Sequence, residues 1–352
     1  MLKARHLVSQ INRPAPETLK RESLMRLDKN ERTTLFSETE FNKIMSSITP
    51  FDLVAYSELE PTYEAFVKWL NIDRWNIILS PGSDAAIRSI YETYIEPGNE
   101  IINYDPNYAM FSVYAKLFGA TEIVKKFKND FSVDVDELIA SISTKTKMVI
   151  ISNPGHNGTV TSVKDIMRVI ETAEQFNTIV LVDEAYYHFN DVTLVDKIND
   201  KSNLIITRTL SKAFGLAAIR VGYILANQDV IKDIYRIKLV HEIDGVSSKI
   251  AKYMVENDHI MKSYVNTVRE GRELISERFS RMGITLFPSQ SNFVYFDLNR
   301  KIDTPQLIKK LQEHDIYIKT PIRTAPFDKY LRITIGSATQ MEVFCDRLET
   351  FI

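Results

Sequence analysis

Thr178-Ile-Val-Leu-Val-Asp183-Glu-Ala-Tyr186 is an apolar, β-branched run that ends in an acid. A run of this kind, without polar alternation, reads as a strand buried on both faces, which belongs to a parallel sheet. Ligands gather outside the carboxyl ends of such strands, so Asp183 is expected at a strand tip facing a site. Outward from it, Ile77-Ile-Leu, Glu100-Ile-Ile-Asn, Met148-Val-Ile-Ile and Asn203-Leu-Ile-Ile-Thr-Arg repeat the pattern between stretches of helical periodicity. That alternation predicts an α/β architecture, a mainly parallel sheet with helices on both faces. Beyond it, Ile250 to Met282 reads as one long charged amphipathic helix. Strands Asn292-Phe-Val-Tyr-Phe and Leu331-Arg-Ile-Thr-Ile then flank a helix from Thr304 to Glu313. The 352 residues exceed the roughly 250–300 that one core can serve, so more than one domain is expected. The expected division is an N-terminal arm over 1–40, a large domain over 41–245 and a smaller α+β domain over 246–352. Pro14 and Pro16 break any long helix in the arm.

A second stretch brings chemistry to the strand tip. Thr209-Leu-Ser-Lys-Ala-Phe-Gly-Leu-Ala-Ala-Ile-Arg220 follows a short strand and combines two hydroxyls, a lysine and an arginine. A helix starting there would offer free N–H groups to a phosphate, with Thr209, Ser211 and the planar fork of Arg220 as further donors. Lysine beside phosphate suits an NTP-binding loop or a Schiff base to pyridoxal 5′-phosphate (PLP). The first needs G-x-x-x-x-G-K-[ST], which is absent around Lys212. Taken alone, Lys212 reads first as a surface lysine on an ordinary helix, and Asp183 equally as a helix cap. Together they favour the cofactor, because a buried carboxylate needs a cationic partner and a protonated pyridine nitrogen is one.

These residues resemble a fold-type I PLP-dependent aminotransferase of class I/II, and within it the histidinol-phosphate aminotransferase group. The most specific pieces are Val182-Asp-Glu-Ala-Tyr186 and Ser211-Lys-Ala-Phe-Gly-Leu-Ala-Ala-Ile-Arg220-Val-Gly-Tyr, and the likeness runs from Asn30 to Gly336. The resemblance implies a PLP-transferase fold of type I and a PLP cofactor. Lys212 would carry it covalently, Asp183 would pair with the ring nitrogen, and Tyr186 would meet the phenolic oxygen. Thr209, Ser211 and Arg220 would hold the phosphate, joined by the helix start at Gly82-Ser83-Asp84. Tyr108, in Asp105-Pro106-Asn107-Tyr108, would stack on the ring. Tyr56 would reach the other subunit's phosphate, which implies a homodimer with shared active sites. Arg332 would bind the substrate carboxylate, with Asn30 and Lys319 on the substrate side.

Several segments depart from the family pattern. Its N-P-N-N-P-T-G loop appears as Asn153-Pro-Gly-His156-Asn157-Gly158-Thr, without the second proline. Asn157 is the expected contact of the phenolic oxygen, with Asn153 as the alternative. Lys319 stands where arginine is usual, and His241-Glu-Ile-Asp-Gly245-Val246-Ser247 replaces a proline-rich stretch. Such substrate-side departures imply a specialised acceptor, with Lys319 and Arg323 as candidate phosphate or carboxylate contacts. The implied reaction is transamination in amino-acid biosynthesis, with Lys212 as general base. The same fold also supports decarboxylation of a phosphorylated amino acid. His156 is expected near the cofactor ring and His188 behind the strand.

Composition narrows the remaining classes. A net charge of −2 provides no basic field for nucleic acid. One cysteine, Cys345, rules out an intramolecular disulfide. The eleven glycines never form G-x-G, and the six histidines never pair at i,i+4, so neither a dinucleotide fingerprint nor a metal site is expected. No apolar stretch approaches the ~20 residues of a membrane span, and the first residues lack a signal peptide's apolar run, so the expected address is the cytoplasm.

Overall fold

The structure, a computed structural model, describes residues 2–12, 20–299, 302–321 and 327–352. Pro14, Pro16 and Arg323 lie outside the described residues. The strands are β1 (Met25–Leu27), β2 (Ile77–Ser80), β3 (Glu100–Asp105), β4 (Thr121–Lys126), β5 (Thr146–Ser152), β6 (Ile179–Asp183), β7 (Leu204–Thr209), β8 (Gly222–Ala226), β9 (Thr285–Leu286), β10 (Phe293–Asp297), β11 (Ile316–Ile318) and β12 (Leu331–Thr334).

Every residue of β6 and β7 is buried, because both faces of their sheet are covered. Ile179 and Leu181 belong to one core, Val180 and Val182 to the other, so the period-two pleat is present but hidden in a uniformly apolar sequence. Helices Gly82–Tyr94, Ala109–Phe118 and Gln228–Tyr235 close the first core. Helices Glu60–Leu70, Val163–Glu174 and Gly245–Glu256 pack into the second. The sheet has seven strands in the order β2-β8-β7-β6-β5-β3-β4. β8 is antiparallel to both neighbours, and the other pairings are parallel.

This register gathers the chemistry on one edge. Ser152 of β5 lies beside Asp183 of β6, which lies beside Thr207 of β7. Thr209 ends β7 opposite Gly222, and Gly222 lies opposite Ser80, the last residue of β2. A buried ion pair braces the tip: Arg208 and Glu184 meet at 2.7 Å with side chains 3% and 0% exposed. Glu184 also accepts from Thr193 Oγ1 at 2.9 Å and from the Leu194 N–H at 3.1 Å. Buried charge is tolerated when satisfied in this way.

The C-terminal part carries the antiparallel sheet β12-β10-β9 against helices His259–Arg281 and Ala338–Glu349. β1 pairs in parallel with β11, which knits the N-terminal segment into this part of the chain. Asn30 continues the contact, its N–H donating to Thr334 Oγ1 at 2.9 Å.

Two local expectations are corrected. The long helix from Ile250 to Met282 is two helices, Gly245–Glu256 and His259–Arg281. Asn257 leaves helical geometry at φ −122, ψ 47, its side chain folds back onto the Tyr253 carbonyl, and Trp69 Nε1 donates to Asp258. No helix starts after Thr209 either. The Leu210 N–H bonds the Val221 carbonyl at 2.9 Å and the Leu216 N–H the Leu210 carbonyl at 3.0 Å, closing a loop that a helix could not make. Lys212 therefore sits in a turn, and only the short 3-10 segment Ala217–Ile219 precedes β8.

Candidate active site

The turn after β7 aims the Lys212 amine into a cavity of about 610 Å³ at the carboxyl edge of the sheet. Lys212 Nζ donates to the Lys29 carbonyl at 3.2 Å and lies 5.7 Å from the centre of the Tyr186 ring. Tyr108, His156, Asn30, Lys319 and Arg332 line the same space. The Tyr186 hydroxyl accepts from Asn30 Nδ2 at 2.9 Å, so the N-terminal segment positions it.

Beside this cavity the chain builds an anion cradle. Thr209 Oγ1 donates to Ser211 Oγ at 3.0 Å and accepts from the Ser211 N–H at 3.1 Å, and Arg220 Nη1 donates to Ser211 Oγ at 3.3 Å. Helix Gly82–Tyr94 supplies the N-terminus expected at Gly82-Ser83-Asp84, while none follows Thr209. Gly82 sits at φ +76, and a Cβ there would run into the Arg220 guanidinium. A Cβ on Gly222 would strike the Ser83 nitrogen. Two glycines thus let a helix start, an arginine and a strand end converge on a space suited to a phosphate. Asp84, in the first turn, accepts from the Tyr114 hydroxyl at 3.0 Å.

Asp183 is 4% exposed, and burial pushes its carboxyl up to about 6 although Thr207 Oγ1 donates to it at 3.1 Å. An acid so deficient in positive partners fits a protonated ring nitrogen. Arg332 is buried, 8% exposed, although it lies in a strand, with its guanidinium 5.1 Å from the Phe293 ring centre. Its Nη2 donates to the Asp28 carbonyl at 3.3 Å, while its buried Nε takes no hydrogen bond among the described residues. That leaves a donor for a substrate carboxylate. The residues present therefore fit PLP: an amine, an anion cradle and an acid for the ring nitrogen.

Other expected residues lie elsewhere. Asn157 does not line the cavity; it is 1% exposed, and its amide donates to the Phe131 carbonyl and to Thr159 Oγ1. Asn153 is fully buried, with its Oδ1 accepting from the Thr161 N–H at 2.8 Å. Tyr56 stands outside the cavity, 81% exposed and stacked on His241 at 4.3 Å. His188 packs between Trp69 and Phe214, where burial lowers its pKa to about 3. Sequence reading missed Asp28 and Lys29, which touch Arg332 and Lys212 through backbone carbonyls and so leave no side-chain signature. It also missed the cavity wall of Glu122, which accepts from Asn103 at 2.9 Å and Ser112 at 2.6 Å; the β3–β4 pairing and the helix Ala109–Phe118 bring these together.

Residues 51–348 match the family model of the aminotransferases of class I and II. The histidinol-phosphate aminotransferase of Thermoanaerobacter sp. strain X514 is 32% identical over 332 residues, 93% of each chain. The Sinorhizobium meliloti histidinol-phosphate aminotransferase, solved in complex with PLP, superimposes with a TM-score of 0.87 at 21% identity, covering 100% of this chain and 99% of that one. The L-threonine-O-3-phosphate decarboxylase of Porphyromonas gingivalis shares the fold at a TM-score of 0.77 and 20% identity, over 92% of this chain and 98% of that one. The chain belongs to the aminotransferase class I and II family, the PLP-dependent transaminases of fold type I.

Proposed function

We propose that this transaminase moves an amino group between an amino phosphate of the histidinol-phosphate type and a 2-oxo acid. The relatives' activity supports this reading, and one observation carries it: the Lys212 amine and the buried, partly unpartnered Arg332 share a single cavity. In this reading Lys212 Nζ holds the cofactor and, once displaced, moves a proton at the substrate carbon. PLP bound there would supply a cationic heterocycle that spreads negative charge from that carbon. Asp183 keeps the ring nitrogen protonated, and Tyr186, oriented by Asn30, donates toward the phenolic oxygen. Thr209, Ser211, Arg220 and the helix start at Gly82, Ser83 and Asp84 hold the phosphate. Tyr108 covers the ring, and Arg332 clamps the carboxylate of the amino acid. Lys319, lining the cavity beside Arg332, serves the second anionic group of the amino phosphate.

The same reading makes the enzyme a cytoplasmic homodimer. Among the described residues no helix is long and apolar enough to cross a membrane. Leu53, Val54, Tyr56, Leu239 and Val240 are each at least 66% exposed, an apolar surface that a second copy would cover. Tyr56 would complete the partner's phosphate site. The large domain of 41–245 and the small domain of 246–352 would frame the cleft.

The test is to add histidinol phosphate to the PLP-loaded enzyme and follow both products. Accumulation of pyridoxamine phosphate without CO2 supports transamination. For a phosphorylated amino acid, CO2 release without pyridoxamine phosphate would replace this reading with decarboxylation.

A further inference from the structure

The loop after β5 carries three side chains with a nitrogen donor, Asn153, His156 and Asn157, and the structure separates them. Asn157 spends its amide on Phe131 and Thr159, and Asn153, whose Oδ1 accepts from the Thr161 N–H and whose Nδ2 is buried without a partner among the described residues, does not line the cavity. His156 alone of the three lines the cavity that holds Lys212. Its ring lies 6.2 Å from that of Tyr108 at 18° to it, and edge-on to Tyr186 at 5.8 Å. Its backbone is fixed, with the Tyr295 hydroxyl donating to its carbonyl at 3.0 Å and the turn closed by the Gly158 N–H on the Gly155 carbonyl at 2.9 Å. Its Nδ1 is buried and takes no hydrogen bond among the described residues. A buried ring nitrogen without a partner is costly unless a ligand completes it.

PLP itself says what that ligand atom is. Its phenolic oxygen sits on the ring edge opposite the phosphate arm, next to the carbon that a lysine attacks. The cradle of Thr209, Ser211 and Arg220 would fix the arm and Lys212 the carbon, which leaves the oxygen for the side where Tyr186 and His156 stand. We propose that His156, through a ring N–H, is the second donor to the phenolic oxygen and fills the role that an asparagine would otherwise take in this loop. This inference rests on the PLP reading above. Burial, aided by the cations Arg332 and Lys212 that face the ring, keeps the imidazole neutral, its pKa lowered to about 3. A neutral ring donates one N–H and draws no proton from the cofactor.

The readout is the pH titration of the visible chromophore of lysine-bound PLP. That titration reports the proton shared between the lysine nitrogen and the phenolic oxygen. A donor to the oxygen drains its charge and loosens the shared proton, so losing the donor raises the midpoint. His156→Leu is expected to raise it by about one unit, and His156→Asn, which keeps an N–H, to restore most of the shift. Asn157→Ala is the contrasting variant. Borohydride trapping of PLP on Lys212, run on each protein, separates the two readings: an unlabelled wild type would sink the cofactor assignment itself. With the label intact, a His156→Leu midpoint equal to wild type, or a shift in Asn157→Ala instead, overturns the role of His156. A His156→Asn midpoint as high as that of His156→Leu overturns it as well.

Discussion

Asp183 is the residue whose energetics depend most on what fills the cavity. Its carboxyl is pushed up to about 6 by burial, above the value near 4 of an unfolded chain. Between those values the folded state binds the extra proton, so the group's penalty is absent below about pH 4, grows as pH rises from about 4 to about 6, and is constant above that. In cofactor-free protein, Asp183→Asn is therefore expected to add on the order of 3 kcal/mol of stability near neutrality and little at about pH 4, read by urea denaturation. Adding PLP should reverse the order, since only the carboxylate pairs with a cationic ring. Arg332 makes the complementary case on the substrate side. Arg332→Lys keeps the charge but loses the planar fork, and kcat/KM for the carboxylate-bearing substrate is expected to fall about 100-fold, near 3 kcal/mol. Steady-state kinetics with that substrate check it, and an unchanged value would remove Arg332 from the site.

At the scale of elements, the edge formed by β5, β6, β7 and β8 matters more than any single loop. Glu184 and Arg208 tie β6 to β7 directly behind Asp183 and Thr209. Arg208→Met would leave the Glu184 carboxylate buried alone, and a loss of about 3–5 kcal/mol is expected in thermal or chemical unfolding. Glu184→Gln in the same background should recover part of it. The apolar runs that build this edge were legible in the sequence because strands buried on both faces leave little else to read. The break at Asn257 was not, since a single side chain folding back on its helix does not disturb the charged periodicity around it. Nor was the loop after Thr209, whose form depends on an antiparallel β8 returning beside β7. The anion cradle does not depend on a helix there, because the second expected helix start, at Gly82-Ser83-Asp84, is present.

For the whole molecule, the site draws on segments far apart in sequence: Asn30 reaches Tyr186, and Arg332 reaches the Asp28 carbonyl. Lys212, Asp183, Tyr186 and the cradle were readable because each sits at the end of a recognisable strand or motif. His156 was readable as a neighbour of the ring, but not as the residue that takes the place expected of Asn157 in the cavity wall. That required knowing where Asn157 turns. Docking β1 on β11 makes the N-terminal segment part of the active-site wall, which pairs of sequence motifs cannot reveal. In the proposed function all of it serves one covalent bond. The direct measurement is borohydride reduction of the PLP-loaded protein followed by peptide mass spectrometry. The expected result is a single phosphopyridoxyl mass on the peptide containing Lys212, absent in Lys212→Ala that still folds; a label on another lysine, or none, would contradict the account.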